Sequence, residues 1–120
     1  MAAKDDLGRR GEQLAVDYLT ERNHVVVDRN WRCAEGELDV VTVSDDMVVV
    51  VEVKTRSTMA FGDPLQAVDA RKLSRLWRLA RLWGASHATI ARGRAVRLDV
   101  IGITGDEAAG FELVHLEDVR

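Results

Sequence analysis

Two acidic residues and a lysine occupy positions where apolar side chains would be expected. Four valines, Val48 to Val51, lead into Glu52, Val53, Lys54, Thr55 and Arg56. Glu and Lys are rarely buried without partners. A few residues upstream, Glu37 and Asp39 interrupt "GELDVV" in the same way. Side chains alternate across a strand, so Glu52 and Lys54 share one face and Glu37 and Asp39 share one. If the two segments form a hairpin with Asp45-Asp46 as its turn, Asp39 opposes Glu52 and Glu37 opposes Lys54. Leu38 and Val40 then point to the other face. A loop with an odd number of residues would separate the carboxylates, unless a bulge restored the register.

Opposed side chains in such a pair have Cβ atoms about 5 Å apart. Two carboxylates at that distance repel by about 3 kcal/mol at an effective dielectric near 20. A divalent cation between them removes the repulsion, and hard oxygen ligands suit Mg²⁺ or Mn²⁺. Lys54, beside them, can hold an attacking water and offset charge on a phosphorane-like transition state. The chemistry this implies is one-metal phosphodiester hydrolysis at Asp39, Glu52 and Lys54. A plain alternative stands beside it, in which Glu37 and Lys54 form a cross-strand ion pair and the other charges are solvated.

The elements that must position these groups are legible. Asp5 or Asp6 caps a first helix over about Leu7–Glu21, with Leu7, Leu14, Ala15, Tyr18 and Leu19 as its apolar stripe. Gly8 and Gly11 each cost this helix up to about 1 kcal/mol relative to alanine, which suggests close packing near Glu12. Strands follow over about Val25–Trp31, Glu37–Val43 and Met47–Arg56. Asp63-Pro64 starts helical structure, Asp69 offers a second cap, and a long helix runs to about Trp83. Leu73, Leu76, Trp77, Ala80 and Trp83 line one side of it, with Arg71, Lys72, Arg75 and Arg78 on the other. Two more strands cover Ala95–Thr104 and Phe111–Val119. The order α-β-β-β-α-β-β describes an α/β (mixed α+β) fold, a mixed central sheet of about five strands flanked by helices. Residues 1–120 make a single domain by size.

Net charge is −3, but it is unevenly spread. Between Arg71 and Arg97 there are eight Arg or Lys and no acidic residue, so all 20 Asp and Glu lie elsewhere. Such asymmetry attracts a polyanion locally even when the total is negative. Arg56, Arg71, Lys72 and Arg75 are candidate phosphate contacts, and the basic face is expected to continue to Arg92–Arg97. Trp31, between Arg29 and Arg32, is a candidate for base stacking. Trp77 and Trp83 read as core. The three histidines share no metal-ligand spacing. Cys33 is the only cysteine, which excludes an intramolecular disulfide and a cysteine zinc cluster. No apolar run reaches the roughly 18–20 residues of a membrane span, and "MAAKDDLGRRGEQ" lacks the core of a signal peptide. A cytoplasmic location without membrane partners is the expectation.

"GRRGEQLA" (Gly8–Ala15), "RNWR" (Arg29–Arg32), "GELDVV" (Gly36–Val41), "VEVKTR" (Val51–Arg56), "FGDP" (Phe61–Pro64) and Lys72 together resemble the YraN-like bacterial family. That family is similar to the PD-(D/E)XK nuclease superfamily and to archaeal Holliday-junction resolvases. The resemblance implies a restriction-endonuclease-like fold and an endonuclease acting on DNA, including branched or recombination intermediates, with RNA left open. It implies Asp39 and Glu52 as metal ligands, joined by the backbone carbonyl of Val53, with Lys54 assisting the water and Glu12 as an added catalytic acid. Leu38 stands where the superfamily motif has proline. A junction-cutting enzyme works as a symmetric homodimer, for which Leu79 and Leu82 are candidate interface positions. Two other readings stay open: a nucleic-acid-binding module without turnover, and a scaffold whose hairpin charges are structural.

Overall fold

A computed structural model describes residues 2–120, including all side chains except those of residues 2–5, 61 and 67. Helix α1 (Ala2–Glu21) leads to strands β1 (Val25–Cys33), β2 (Gly36–Ser44) and β3 (Met47–Arg56). Two short 3₁₀ turns (Met59–Phe61 and Pro64–Ala67) precede α2 (Ala70–Ser86) and the single-turn α3 (Ala88–Ala91). Strands β4 (Ala95–Asp106) and β5 (Gly110–Leu116) complete the chain. The sheet order is β1-β2-β3-β4-β5, antiparallel except for the β3–β4 pair, which is parallel. A parallel neighbour requires a crossover, and the Pro64 turn with α2 supplies it.

The expected mixed sheet between helices is the observed one. On one face, Leu76, Leu79, Ala80 and Trp83 of α2 pack on Leu38, Val41, Val48, Val50 and Leu98. On the other, Ala15 and Leu19 of α1 pack on Val40, Val49, Val51, Val53, Ile101 and Ile103. Strand β3 is covered on both faces, which accounts for its nearly unbroken run of valines. The described residues contain no helix long and apolar enough to cross a membrane.

Some local expectations need correction. Helix α1 begins at Ala2, so Asp6 lies within it, ion-paired with Arg9, and does not cap it. The Asp5 side chain lies outside the described residues. Asp63-Pro64 opens a 3₁₀ turn, with Asp63 accepting from the Leu65 N–H, and not the long helix itself. Asp69 caps α2 as expected, accepting from the Lys72 N–H at 2.9 Å. Leu79 is buried in this core, and Leu82 is partly buried against it.

Of the two helical glycines, only Gly11 is spatially required. A Cβ there would lie 2.0 Å from Thr55 Oγ1, whereas one at Gly8 would meet nothing within 4 Å. Gly11 therefore lets α1 close onto the end of β3 and brings Glu12 beside the charged segment. On the other face, a Cβ at Gly102 would lie 3.0 Å from Leu65 Cδ2. Gly102 pairs with Lys54 in the parallel ladder, so the bare backbone there lets the Pro64 turn settle next to that lysine.

Candidate active site

The β2–β3 ladder begins at Ser44↔Met47, across an Asp45-Asp46 turn in which Asp45 has φ +54°. Its register is the one expected, and it runs to Val40↔Val51. There the strands part. Beyond this point β2 keeps its pairing with β1 through Cys33↔Gly36, and β3 keeps its pairing with β4 through Arg56↔Thr104. Asp39 and Glu52 stand at the mouth of this fork, as the next pair in register.

The irregularity extends into β1. Arg29 pairs with Val40 and Trp31 with Leu38, so the register sets Asn30 opposite Asp39. Asn30 has φ +53°, a left-handed conformation that Asn tolerates better than most residues. Leu38 packs on the α2 side and Val40 on the α1 side, so strict alternation fails across Asp39. The expectation that Leu38 and Val40 share a face was therefore wrong. Regular pleating is lost at Asn30 of β1 and Asp39 of β2, whereas β3 keeps its alternation past Glu52, with Val51 and Val53 both packed on the α1 side.

The fork orients its polar groups. Val53, whose N–H would otherwise seek β2, donates to Asp39 Oδ2 at 2.9 Å. N–H and C=O of one strand residue point to the same edge. The Val53 carbonyl thus lies on the edge facing the fork. Glu52 is only 5% exposed, and its Oε2 forms ion pairs with Lys54 Nζ and Lys72 Nζ, each at 3.2 Å. Glu37 does not meet Lys54; it pairs with Arg32 across β1–β2 at 3.1 Å. Lys72, expected only as a phosphate contact, comes from the first turn of α2 into the site itself. A cleft of about 300 Å³ joins Glu37, Asp39, Glu52 and Lys54 of the fork to Lys72 and Arg75 of α2.

The electrostatics follow from this crowding. Burial pushes the Asp39 carboxyl up to about 8, and the nearby Glu52 and Glu12 charges and a carboxyl–carboxylate hydrogen bond to Glu52 add to the rise, against the opposing Val53 N–H. Burial also raises Glu12, where a hydrogen bond from Asn30 and the charge of Arg29 oppose it and Glu37 and Glu52 add to it. For Lys72, burial works against the charge, but contact with Lys54 and Glu52 outweighs it and holds the ammonium above its ordinary value.

The donor set fits a hard divalent cation: two carboxylates and one carbonyl, oxygens only, with room for water. Burial and Glu52 suppress the charge of Asp39, and a dication between the pair would favour that charge. The described residues contain no cluster of three acidic or imidazole side chains arranged as a metal cage. Glu12 couples to the pair through its charge.

Other expected residues lie elsewhere. Trp31 is half-buried, packs on the α2-side core and meets His87 edge-on at 6.3 Å. Arg56 donates to the Thr55 carbonyl and stands outside the cleft. Arg71 lines the outer surface of α2 beside Arg75. Arg97 does not extend the basic face: it grips the fully buried Asp99 with two hydrogen bonds of 2.9 Å. Burial alone would raise Asp99, but hydrogen bonds from His115, Arg97 and the Asp118 N–H win and hold it below its ordinary value. Arg94 is occupied by the Ile90 carbonyl. Sequence reasoning missed Asn30 as a site residue; its signal was a polar residue inside an otherwise strand-like stretch.

The chain matches the Uncharacterised protein family UPF0102 over residues 11–103, which spans every residue of the fork. It belongs to this family. UPF0102 is the YraN family that the sequence motifs resemble. The UPF0102 protein of Arthrobacter sp. (strain FB24) is 47% identical over 119 residues, covering 99% of each chain. That of Mycolicibacterium gilvum (strain PYR-GCK) is 49% identical over 115 residues, covering 94% of this chain and 92% of its own. That of Clavibacter michiganensis subsp. michiganensis (strain NCPPB 382) is 48% identical over 103 residues, covering 86% of each. The fork, the Gly11 contact and Lys72 all lie inside the UPF0102 match.

Proposed function

We propose that this UPF0102 member is a metal-dependent DNA endonuclease. The observation that carries the reading is the meeting of Asp39 and Glu52 in the fork, with Asp39 raised to about 8 and Lys54 on the Glu52 carboxylate. Asp39, Glu52 and the Val53 carbonyl would hold Mg²⁺ or Mn²⁺, which supplies a Lewis acid for a phosphoryl oxygen. Lys54 holds the attacking water near phosphorus and stabilises charge on the pentacovalent transition state. Lys72 offsets the charge of the bound phosphate from the opposite wall of the cleft. Water adds its oxygen to phosphorus and gives a proton to solvent, while the bond to the leaving sugar oxygen breaks and that oxygen takes a proton from solvent. Branched DNA is the substrate that the motif resemblance favours.

A binding module without turnover is the second reading. It is favoured by the two ammonium groups on Glu52 Oε2, which neutralise that carboxylate without a cation. One assay separates the two readings. Purified protein is incubated with branched, duplex and single-stranded DNA, and with RNA, in Mg²⁺, Mn²⁺ or EDTA, beside Glu52→Gln and Lys54→Met. Metal-dependent cutting of DNA that both variants lose is the expected result. Binding without cutting in every condition would establish the second reading and end the first.

A further inference from the structure

Helix α2 turns its apolar side to the core and leaves a row of arginines on the other. Arg71, Arg75, Arg78 and Arg81 recur at spacings of four, three and three residues, which keeps them on one stripe. All four are exposed and border one open space of about 760 Å³, bounded by residues of α2 and its cap Asp69. Among the described residues, Arg71, Arg75 and Arg81 have no ion-pair partner, in a chain with more acidic than basic residues. Arg78 pairs with Glu35 at 3.0 Å. Asp69, the acidic residue at the head of the stripe, is engaged as the helix cap. Free guanidinium groups in a row bind phosphate well, as planar donors of fixed geometry.

We infer that this stripe is a phosphate track that seats one strand of duplex DNA and leads it into the fork. The inference rests on the nuclease reading for its destination, but not for the binding itself. The track runs straight into the site, because Lys72 and Arg75 of the same helix line the fork cleft. Ten residues of helix extend about 15 Å. Duplex DNA carries one phosphate per about 3.4 Å of axis on each strand, so the stripe spans about four phosphates of one strand. Proteins that hold single strands add aromatic platforms for the bases. Among the described residues no aromatic side chain borders the track; Trp77 and Trp83 of the same helix pack on the core. A single helical wall of arginines without such platforms fits the outside of a duplex and contacts it through the backbone, independently of sequence.

The test is binding of the full chain to a fluorescein-labelled 25-base-pair duplex in EDTA, followed by anisotropy from 50 to 200 mM salt. The triple variant Arg71→Gln, Arg75→Gln, Arg81→Gln is compared with a control of equal charge change, Arg9→Gln, Arg22→Gln, Arg120→Gln. Each phosphate contact contributes about 0.9 to the slope of log K against log salt. The track variant is expected to lose about 2–3 from that slope and the control less than about 1. Equal slopes in wild type and track variant, equal losses in both variants, or tighter wild-type binding to the matching single strand would each overturn the inference. Binding that depends on the track, from a protein that cuts nothing in Mg²⁺ or Mn²⁺, would sustain the track while removing the nuclease reading. Cutting with a slope untouched by the track variant would do the reverse.

Discussion

Replacing Asp39 by asparagine is expected to stabilise the metal-free protein at neutral pH, although it alters the centre of the site. The unfolded carboxyl titrates near 3.8 and the folded one near 8. Below about pH 4 both states hold the proton, and the group does not penalise folding. As pH rises the unfolded chain releases its proton first, so the stability of the folded form falls steadily until about pH 8. One pKa unit corresponds to about 1.36 kcal/mol, so the penalty at pH 7 has a ceiling of about 4 kcal/mol. Side-chain relaxation and water reaching the cleft reduce it, and a gain between about 2 kcal/mol and that ceiling is expected. Domains of this size have about 5–15 kcal/mol in all, so the effect is large. Asparagine keeps an oxygen for the Val53 N–H and places an amide where the shared proton lay. The assay is urea or thermal unfolding in EDTA from pH 5 to 9, where about 4 °C in Tm corresponds to 1 kcal/mol. Wild type loses stability toward pH 8 and the variant does not. Added Mg²⁺ or Mn²⁺ raises the wild-type Tm most at the alkaline end and leaves the variant nearly unmoved. A variant less stable than wild type at pH 8 in EDTA, or equal pH slopes for the two, would refute the claim that burial and Glu52 strain Asp39.

Two further predictions concern how the fork is built. Gly11→Ala would drive a methyl into Thr55, and overpacking of this kind costs about 1–3 kcal/mol; urea unfolding should show that loss, with Thr55→Ala in the same chain recovering part of it. Asn30→Ala loses both the Glu12 hydrogen bond and a residue type suited to φ +53°, whereas Asn30→Gly loses only the bond. The alanine variant is expected to be less stable than the glycine variant by about 1 kcal/mol, while DNA cutting falls in both; equal stabilities would show that the backbone there is unstrained.

The elements of this protein could be read from its amino-acid order because their causes are local. Valine runs specify a strand buried on both faces, Asp69 specifies where α2 begins, and a two-residue Asp turn sets the β2–β3 register. That register brought Asp39 and Glu52 together, so the acidic pair was legible once the turn was. Local causes misled where a competing contact lay far along the chain. Glu37 had Arg32 as a neighbour on β1 and left Lys54 to Glu52. Leu79 had Gly36 and the core to pack against and was not left for a partner.

What only the tertiary structure decided is the convergence itself. Asn30, Glu12 and Lys72 come from β1, α1 and α2, and no spacing within any one element relates them. Their meeting depends on Gly11 letting α1 close on Thr55, on the crossover bringing α2 back over the sheet, and on β1 and β2 losing their pleat at Asn30 and Asp39. Alternation along a strand says which side a residue faces; it does not say where a ladder will part. The parting depends on how the neighbouring strands share hydrogen bonds. In this chain the Asp39 carboxylate takes the Val53 N–H that a regular sheet would have given to a backbone carbonyl of β2.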